Sequence, residues 1–280
     1  MISHPKNGTI KRKRNKTIEI EDKKMILAFD IGNTDIVIGG IDKGEVSFVW
    51  RLKSDRNKTI DEYTIHLKNL FDMYEMTKDK IEGTILSSVV PPLTNQLKVA
   101  IQKVTGFDPM VIGPGIKTGL NILIDNPAQL GSDLVVGAVA ALEQYETPLI
   151  IWDLGTATTC AALDKKGNYI GGMIYPGMKV SEEALSSRAS QLPNISFEAP
   201  KRVIGKNTVD CMKSGLIYGN AAMMDGVIER FEEELGEKAT VIATGGLSTC
   251  VVPYCKRDII YDEHLLLKGL EIIYKKNTEK

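Results

Sequence analysis

Leu149-Ile150-Ile151-Trp152-Asp153-Leu154-Gly155-Thr156 is the stretch that decides the fold, because it repeats a pattern found near the start of the chain. The earlier copy is Met25-Ile26-Leu27-Ala28-Phe29-Asp30-Ile31-Gly32-Asn33-Thr34. Asp30 and Asp153, Gly32 and Gly155, Lys43 and Lys166, and Gly44 and Gly167 all stand 123 residues apart. Each copy has the order strand, Asp-x-Gly turn, strand, Lys-Gly hairpin, strand. One Asp-x-Gly turn is a cheap coincidence, whereas four aligned turn residues in matching strand contexts are not. The repeat predicts two duplicated α/β units, with mixed sheets flanked by helices and a cleft between them.

Working outward, Ile36 to Ile41 and Glu45 to Leu52 are predicted strands, followed by an amphipathic helix over Ile60 to Met76. Ile81 to Val90 is a further strand closed by Pro91-Pro92, with a helix from Leu93 to Val104 and a strand-like stretch from Pro109 to Ile112. An apolar helix spans Leu134 to Leu142. Helices over Val180 to Gln191, Asn207 to Leu235 and Leu265 to Lys275, with a strand from Thr240 to Ala243, complete the second half. The predicted division is 1–24, a basic disordered tail; 25–143, the first unit; and 144–280, the second.

Composition is that of a globular protein: 280 residues, 43% hydrophobic, 25% charged, net charge −1. That balance gives no reason to expect nucleic acid or an anionic membrane as partner. No apolar run approaches the roughly 20 residues that span a bilayer. Four cysteines without C-x-x-C spacing (Cys160, Cys211, Cys250, Cys255) are expected to be reduced thiols in a cytoplasm. Residues 1–24 hold eight Lys/Arg against three Asp/Glu. Their two readings are a basic arm for nucleic acid and a disordered tail or sequence upstream of the start, Met25 standing directly before the first strand; the second is preferred.

Neither G-x-x-x-x-G-K-[ST] nor G-x-G-x-x-G follows a strand, which closes the P-loop and Rossmann routes to a nucleotide. The paired Asp-x-Gly turns offer another route. Gly32 lets the backbone approach a phosphate, and Asn33 and Thr34 can donate to its oxygens. Asp30 would repel that phosphate unless a hard cation such as Mg²⁺ intervened. Each turn alone would be a plain β-turn; the duplicated pair favours phosphate binding. Val241-Ile242-Ala243-Thr244-Gly245-Gly246, a strand ending in a glycine pair, leaves room for a flat ligand such as adenosine. Asp133, opening the apolar helix, is either an N-cap or a base, and with no histidine near any motif it is the candidate base.

These signals in this order resemble the actin-like (ribonuclease H-like) superfold of sugar kinases, and more closely type III pantothenate kinase from about Met25 to Asn277. The matching runs are Asp30-Ile31-Gly32-Asn33-Thr34, Ser87-Ser88-Val89-Val90-Pro91-Pro92, Gly113-Pro114-Gly115-Ile116-Lys117-Thr118-Gly119 and Asp125-Asn126-Pro127. They continue with Gly131-Ser132-Asp133, Asp153-Leu154-Gly155-Thr156-Ala157-Thr158-Thr159, Gly205-Lys206-Asn207-Thr208 and Ala243-Thr244-Gly245-Gly246.

The resemblance implies ATP-dependent phosphorylation of the primary hydroxyl of pantothenate, the first step of coenzyme A synthesis. It implies a first phosphate and Mg²⁺ loop made of Asp30, Ile31, Gly32, Asn33, Thr34, Asp35, Ile36 and Val37. Gly155, Thr156, Gly245 and Gly246 would complete the ATP site. Asp153 would hold K⁺ or NH₄⁺, and Asp133 would be the general base. Gly131, Ser132, Leu134, Ile124 and Thr208 would fall at the substrate, near the interface of a homodimer. Two of these depart from the family pattern: Leu134 stands where the family has arginine, and Ile124 where it usually has tyrosine. Lys206 and Arg188 are the nearest replacement cations in sequence. The departures keep two alternatives open: a same-fold kinase for another small alcohol, and a non-catalytic nucleotide-binding regulator.

Overall fold

The computed structural model describes residues 24–279, so expectations for residues 1–23 lie outside the described residues. The first sheet is built from β1 (Met25–Ile31), β2 (Asp35–Asp42), β3 (Glu45–Lys53), β4 (Ile81–Ser88) and β5 (Met110–Val111), in the order β3-β2-β1-β4-β5. The second comprises β6 (Leu149–Leu154), β7 (Ala157–Leu163), β8 (Tyr169–Pro176), β9 (Thr240–Thr244) and β10 (Ile260–Tyr261), in the order β10-β9-β6-β7-β8. In both, an antiparallel meander of three strands is extended by two parallel strands. The internal repeat of the sequence is therefore a repeat of whole sheets.

Seven helices accompany them among the described residues: α1 (Ile60–Met73), α2 (Pro91–Thr105), α3 (Ser132–Gln144), α4 (Met178–Arg188), α5 (Thr208–Leu235), α6 (Ser248–Val251) and α7 (Leu265–Thr278). Pro91-Pro92 does not precede α2 but begins it. The first turn of a helix has no use for the amide that proline lacks, and the fixed φ suits it. A short α6 and the two-residue strand β10 fall where the sequence showed no periodic pattern.

Strand alternation decides which helix covers which face. Leu27, Phe29 and Ile31 of β1 point to one side and pack with Tyr63 and Leu67 of α1 and Leu93 and Leu97 of α2. Ile26 and Ala28 point to the other side, against Val136 and Val139 of α3 and Leu267, Leu270 and Ile273 of α7. In β6, Ile150, Trp152 and Leu154 face α5. Leu149 and Ile151 face Ala138 and Ala141 of α3. Helix α3 thus lies between the two sheets and serves both cores. Dividing the chain at 143/144 sorts the strands by sheet, but α7, from the end of the chain, covers the first sheet. At Gly269 the α7 backbone comes so close to the Val136 carbonyl that a side chain there has no room.

Candidate active site

The same alternation builds the site. Asp30 continues the Ile26–Ala28 face of β1, and Asp153 continues the Leu149–Ile151 face of β6. Both carboxylates therefore leave their sheets toward the layer between them, where α3 carries Asp133 in its first turn. All three line one cleft of about 830 Å³. Burial, and then the Asp133 and Asp153 charges, push the Asp30 carboxyl up to about 7, partly opposed by the Ser87 hydroxyl. Burial and Asp133 push Asp153 up to about 7 as well. Asp133 is raised mainly by burial and held back by the amides of Leu134 and its own residue. Three mutually repelling carboxylates in one cleft form a site that a bound cation would relieve.

Asp133 is not the N-cap of α3. Gly131 occupies that position without a side-chain cap, and Asp133 Oδ1 accepts from the Leu134 amide at 2.8 Å. A Cβ on Gly131 would lie 2.5 Å from that oxygen, so only glycine leaves the carboxylate in place. Ser132 ties the helix start to the first sheet: its hydroxyl donates to Ser88 O (3.0 Å), accepts from Ser88 N (3.2 Å), and pairs with Ser87 Oγ (2.9 Å). Its hydroxyl is thus committed to β4.

The two turns face each other. Gly32 donates its amide to Asp35 O and Gly155 donates its amide to Ala157 O. The Asn33, Thr34 and Thr156 amides have no hydrogen-bond acceptor among the described residues. The hydroxyls of Thr34 and Thr156 meet across the cleft at 2.8 Å. Ser54 Oγ donates to Gly32 O, and Arg56 donates to the Asn33 side chain, so the first turn is braced from outside. Gly245 adopts φ +92°, and a Cβ added there would lie 2.5 Å from Asp153 Oδ1. Both the left-handed backbone and the approach to Asp153 require glycine there.

Asp30, Gly32, Asn33, Thr34, Asp35, Val37, Asp133, Asp153, Gly155, Thr156, Gly245 and Gly246 all line the cleft. Ile31 and Ile36 are fully buried in the first core. Leu134 and Ile124 pack together against the apolar cluster under α3. Thr208 starts α5 on the exposed surface, behind its N-cap Asn207, and does not line the cleft. The expectation of no histidine near a motif is corrected: His264 lines the cleft, brought there because β10 pairs beside β9. Arg51, Lys179 and Tyr261 also line it. Arg51 is the cross-strand partner of Val37.

A family model described as type III pantothenate kinase matches residues 26–230. The chain belongs to the type III pantothenate kinase family. Three curated type III pantothenate kinases are similar along their whole length, each covering 91% of this chain. They come from Exiguobacterium sp. (47% identical), Halalkalibacterium halodurans (46%) and Moorella thermoacetica (45%). This type III pantothenate kinase family member is accordingly an enzyme, a kinase. Two solved structures share the fold at low identity. One is a conserved putative Baf family transcriptional activator from Campylobacter jejuni (TM-score 0.51, 19% identical, covering 90% of this chain and 97% of that one). The other is the (R)-2-hydroxyglutaryl-CoA dehydratase component A of Acidaminococcus fermentans (TM-score 0.54, 12% identical, covering 92% and 100%). The architecture is actin-like, with two related halves about a cleft.

Proposed function

We propose that the chain transfers the γ-phosphoryl group of ATP to the primary hydroxyl of pantothenate, giving 4′-phosphopantothenate and ADP, the first step of coenzyme A synthesis. The observation that carries the reading is the placement of Asp133 beside the Asp30–Asp153 pair, within one cleft that also holds both phosphate turns and the Gly245-Gly246 turn. Triphosphate binds along the free amides and hydroxyls of Asn33, Thr34 and Thr156, with adenosine at Gly245-Gly246. Asp133 accepts the proton of the acceptor hydroxyl, whose oxygen bonds to phosphorus as the bond to the ADP oxygen breaks. Positioning and charge neutralisation dominate such a transfer. Burial raises the proton affinity of Asp133, the direction that suits a proton acceptor.

The oxygen-only donor set and the crowded negative charge fit hard cations. Asp30 would hold Mg²⁺ and Asp153 a K⁺ or NH₄⁺ ion. When bound, these ions neutralise charge on the phosphate oxygens and on the two carboxylates. A homodimer is part of the same reading, supported by exposed apolar side chains on β8 (Ile174), α4 (Val180, Leu185) and the stretch up to α5 (Val203, Ile204, Val209). Four free cysteines among the described residues suit a reducing cytoplasm. The test is an ADP-release assay on the full chain with pantothenate and a panel of small alcohols. Turnover restricted to pantothenate is the expected result; preference for another alcohol would replace the acceptor while keeping the kinase.

A further inference from the structure

The internal repeat reaches one position beyond its hairpins, and there the two copies differ. Ser54 and Gly177 also stand 123 residues apart, and each directly follows a strand that pairs back toward its own phosphate turn. In the second copy this position has no room for a side chain, because a Cβ on Gly177 would run into the carbonyl oxygens of Gly155 and Thr156. In the first copy a hydroxyl fills the same place and bonds to the turn. Ser54 Oγ donates to Gly32 O at 2.6 Å, and the Ser54 amide donates to Thr34 O at 2.9 Å.

A trans peptide carries its C=O and N–H on opposite sides of one plane, so holding one fixes the other. With Gly32 O drawn to Ser54, the Asn33 N–H faces away from Ser54; with Thr34 O drawn to the same residue, the Asp35 N–H faces away too. Gly32, Asn33, Thr34 and Asp35 line the cleft, and Ser54 and Arg56 do not, so away from Ser54 is toward the cleft. Arg56 does for a side chain what Ser54 does for the backbone. Its Nη2 donates to Asn33 Oδ1 at 3.0 Å, which leaves the Nδ2 donors of that carboxamide on the other side. Glycine puts up little resistance to a peptide flip, and a flipped Gly32–Asn33 peptide would aim a carbonyl oxygen at an anion already crowded by Asp30. The brace itself is stiff. The Asp55 amide donates to the Tyr63 hydroxyl (2.9 Å), that hydroxyl donates to Asp55 O (2.8 Å), and Tyr63 is fully buried beneath the loop.

We infer that Ser54, together with Arg56, is a positioning residue for the triphosphate: it holds the donors of the first turn toward the cleft without touching the nucleotide. This rests on the proposed function only in taking ATP as the donor. The experiment therefore reads binding without an acceptor, by calorimetry of the full chain with ATP and with adenosine in Mg²⁺ buffer. Wild type, Ser54→Ala, Ser54→Thr and Arg56→Met are compared, with a thermal melt of each. Expected for Ser54→Ala is about a tenfold rise in the Kd for ATP, with adenosine unaffected because it has no phosphate to meet the turn. Ser54→Thr keeps the hydroxyl and should restore most of the affinity. Arg56→Met, at an exposed position, should weaken ATP about threefold even at high salt, where the lost charge is screened. Unchanged ATP affinity in Ser54→Ala would overturn the inference, and so would an equal loss for adenosine, which would make Ser54 a support of the fold alone. Should Ser54→Ala fail to fold, Arg56→Met decides by the same contrast between ATP and adenosine. The expected pattern in a chain that leaves pantothenate unphosphorylated would support the inference and overturn only the acceptor. A wild type that does not bind ATP would overturn both.

Discussion

At the scale of single residues, the cleft is governed by three carboxylates whose negative charges repel one another. Asp133→Asn keeps the size of the side chain and removes its proton acceptor, so turnover should fall roughly 10²-fold. Its melting temperature should hold or rise, because one of the crowded charges is gone. Thermal melts beside steady-state assays check both. Asp30 and Asp153 have a second consequence, since each is pushed from the usual 3.8 up to about 7. Between about pH 4 and 7 the folded chain retains protons that the unfolded chain has released. Stability should therefore fall as pH rises through that window, by up to roughly 4 kcal/mol per carboxylate, and be lowest above pH 7. Asp153→Asn should flatten that slope and raise the melting temperature at pH 8, and Mg²⁺ with K⁺ should stabilise the wild type more at pH 8 than at pH 5. Melting curves across pH test the sign. The carboxylates were legible in the sequence because each sits in a motif. Arg51 was not. A bulge between Gly40 and Ile41 shifts the β2–β3 pairing by one residue, so Val37 meets Arg51 instead of Trp50. Trp50 is thereby turned into the core, stacked on Phe48 at 4.3 Å, and Arg51 into the cleft.

The element that matters most to the chemistry is α3, and its position depends on one hydroxyl. Ser132 makes all of its hydrogen bonds to β4, one residue before the carboxylate that the mechanism needs. Ser132→Ala leaves the Ser88 amide and carbonyl without that partner, at a cost of about 1–3 kcal/mol. We expect a melting temperature lower by several degrees together with a loss of kcat, whereas Ser132→Thr should restore part of each. Differential scanning calorimetry and initial rates separate the two effects. The apolar run of α3 was visible in the sequence, but its double role was not. Periodicity reports that a helix is apolar on several faces; it does not report that Val136 and Val139 serve one sheet while Ala138 and Ala141 serve the other. Lys179 escaped notice for a related reason. Its helix is placed by the contact of Gly177 with a turn some twenty residues earlier, and no local pattern encodes such a contact.

For the whole molecule, the duplicated sheets were legible from four turn residues, because each sheet repeats the order of its hairpin and its parallel strands. The surface was less so. Ile174 is 76% and Ile204 83% exposed, which is costly for an isolated chain. Ile204→Asp should convert the expected dimer into a monomer with the fold retained, as read by sedimentation and circular dichroism; an unchanged mass would move the interface elsewhere. The return of α7 to the first sheet bears on how the protein is made. Ribosomes deliver the chain from the amino end, and the first sheet is complete in its strands long before its final helix exists. Until Leu267, Leu270 and Ile273 emerge, the face of β1 that bears Ile26 and Ala28 lacks half of its cover. Cotranslational folding of the first half must then pause in a partly covered state, in which chaperones can engage it and a stalled or truncated message yields a sticky fragment.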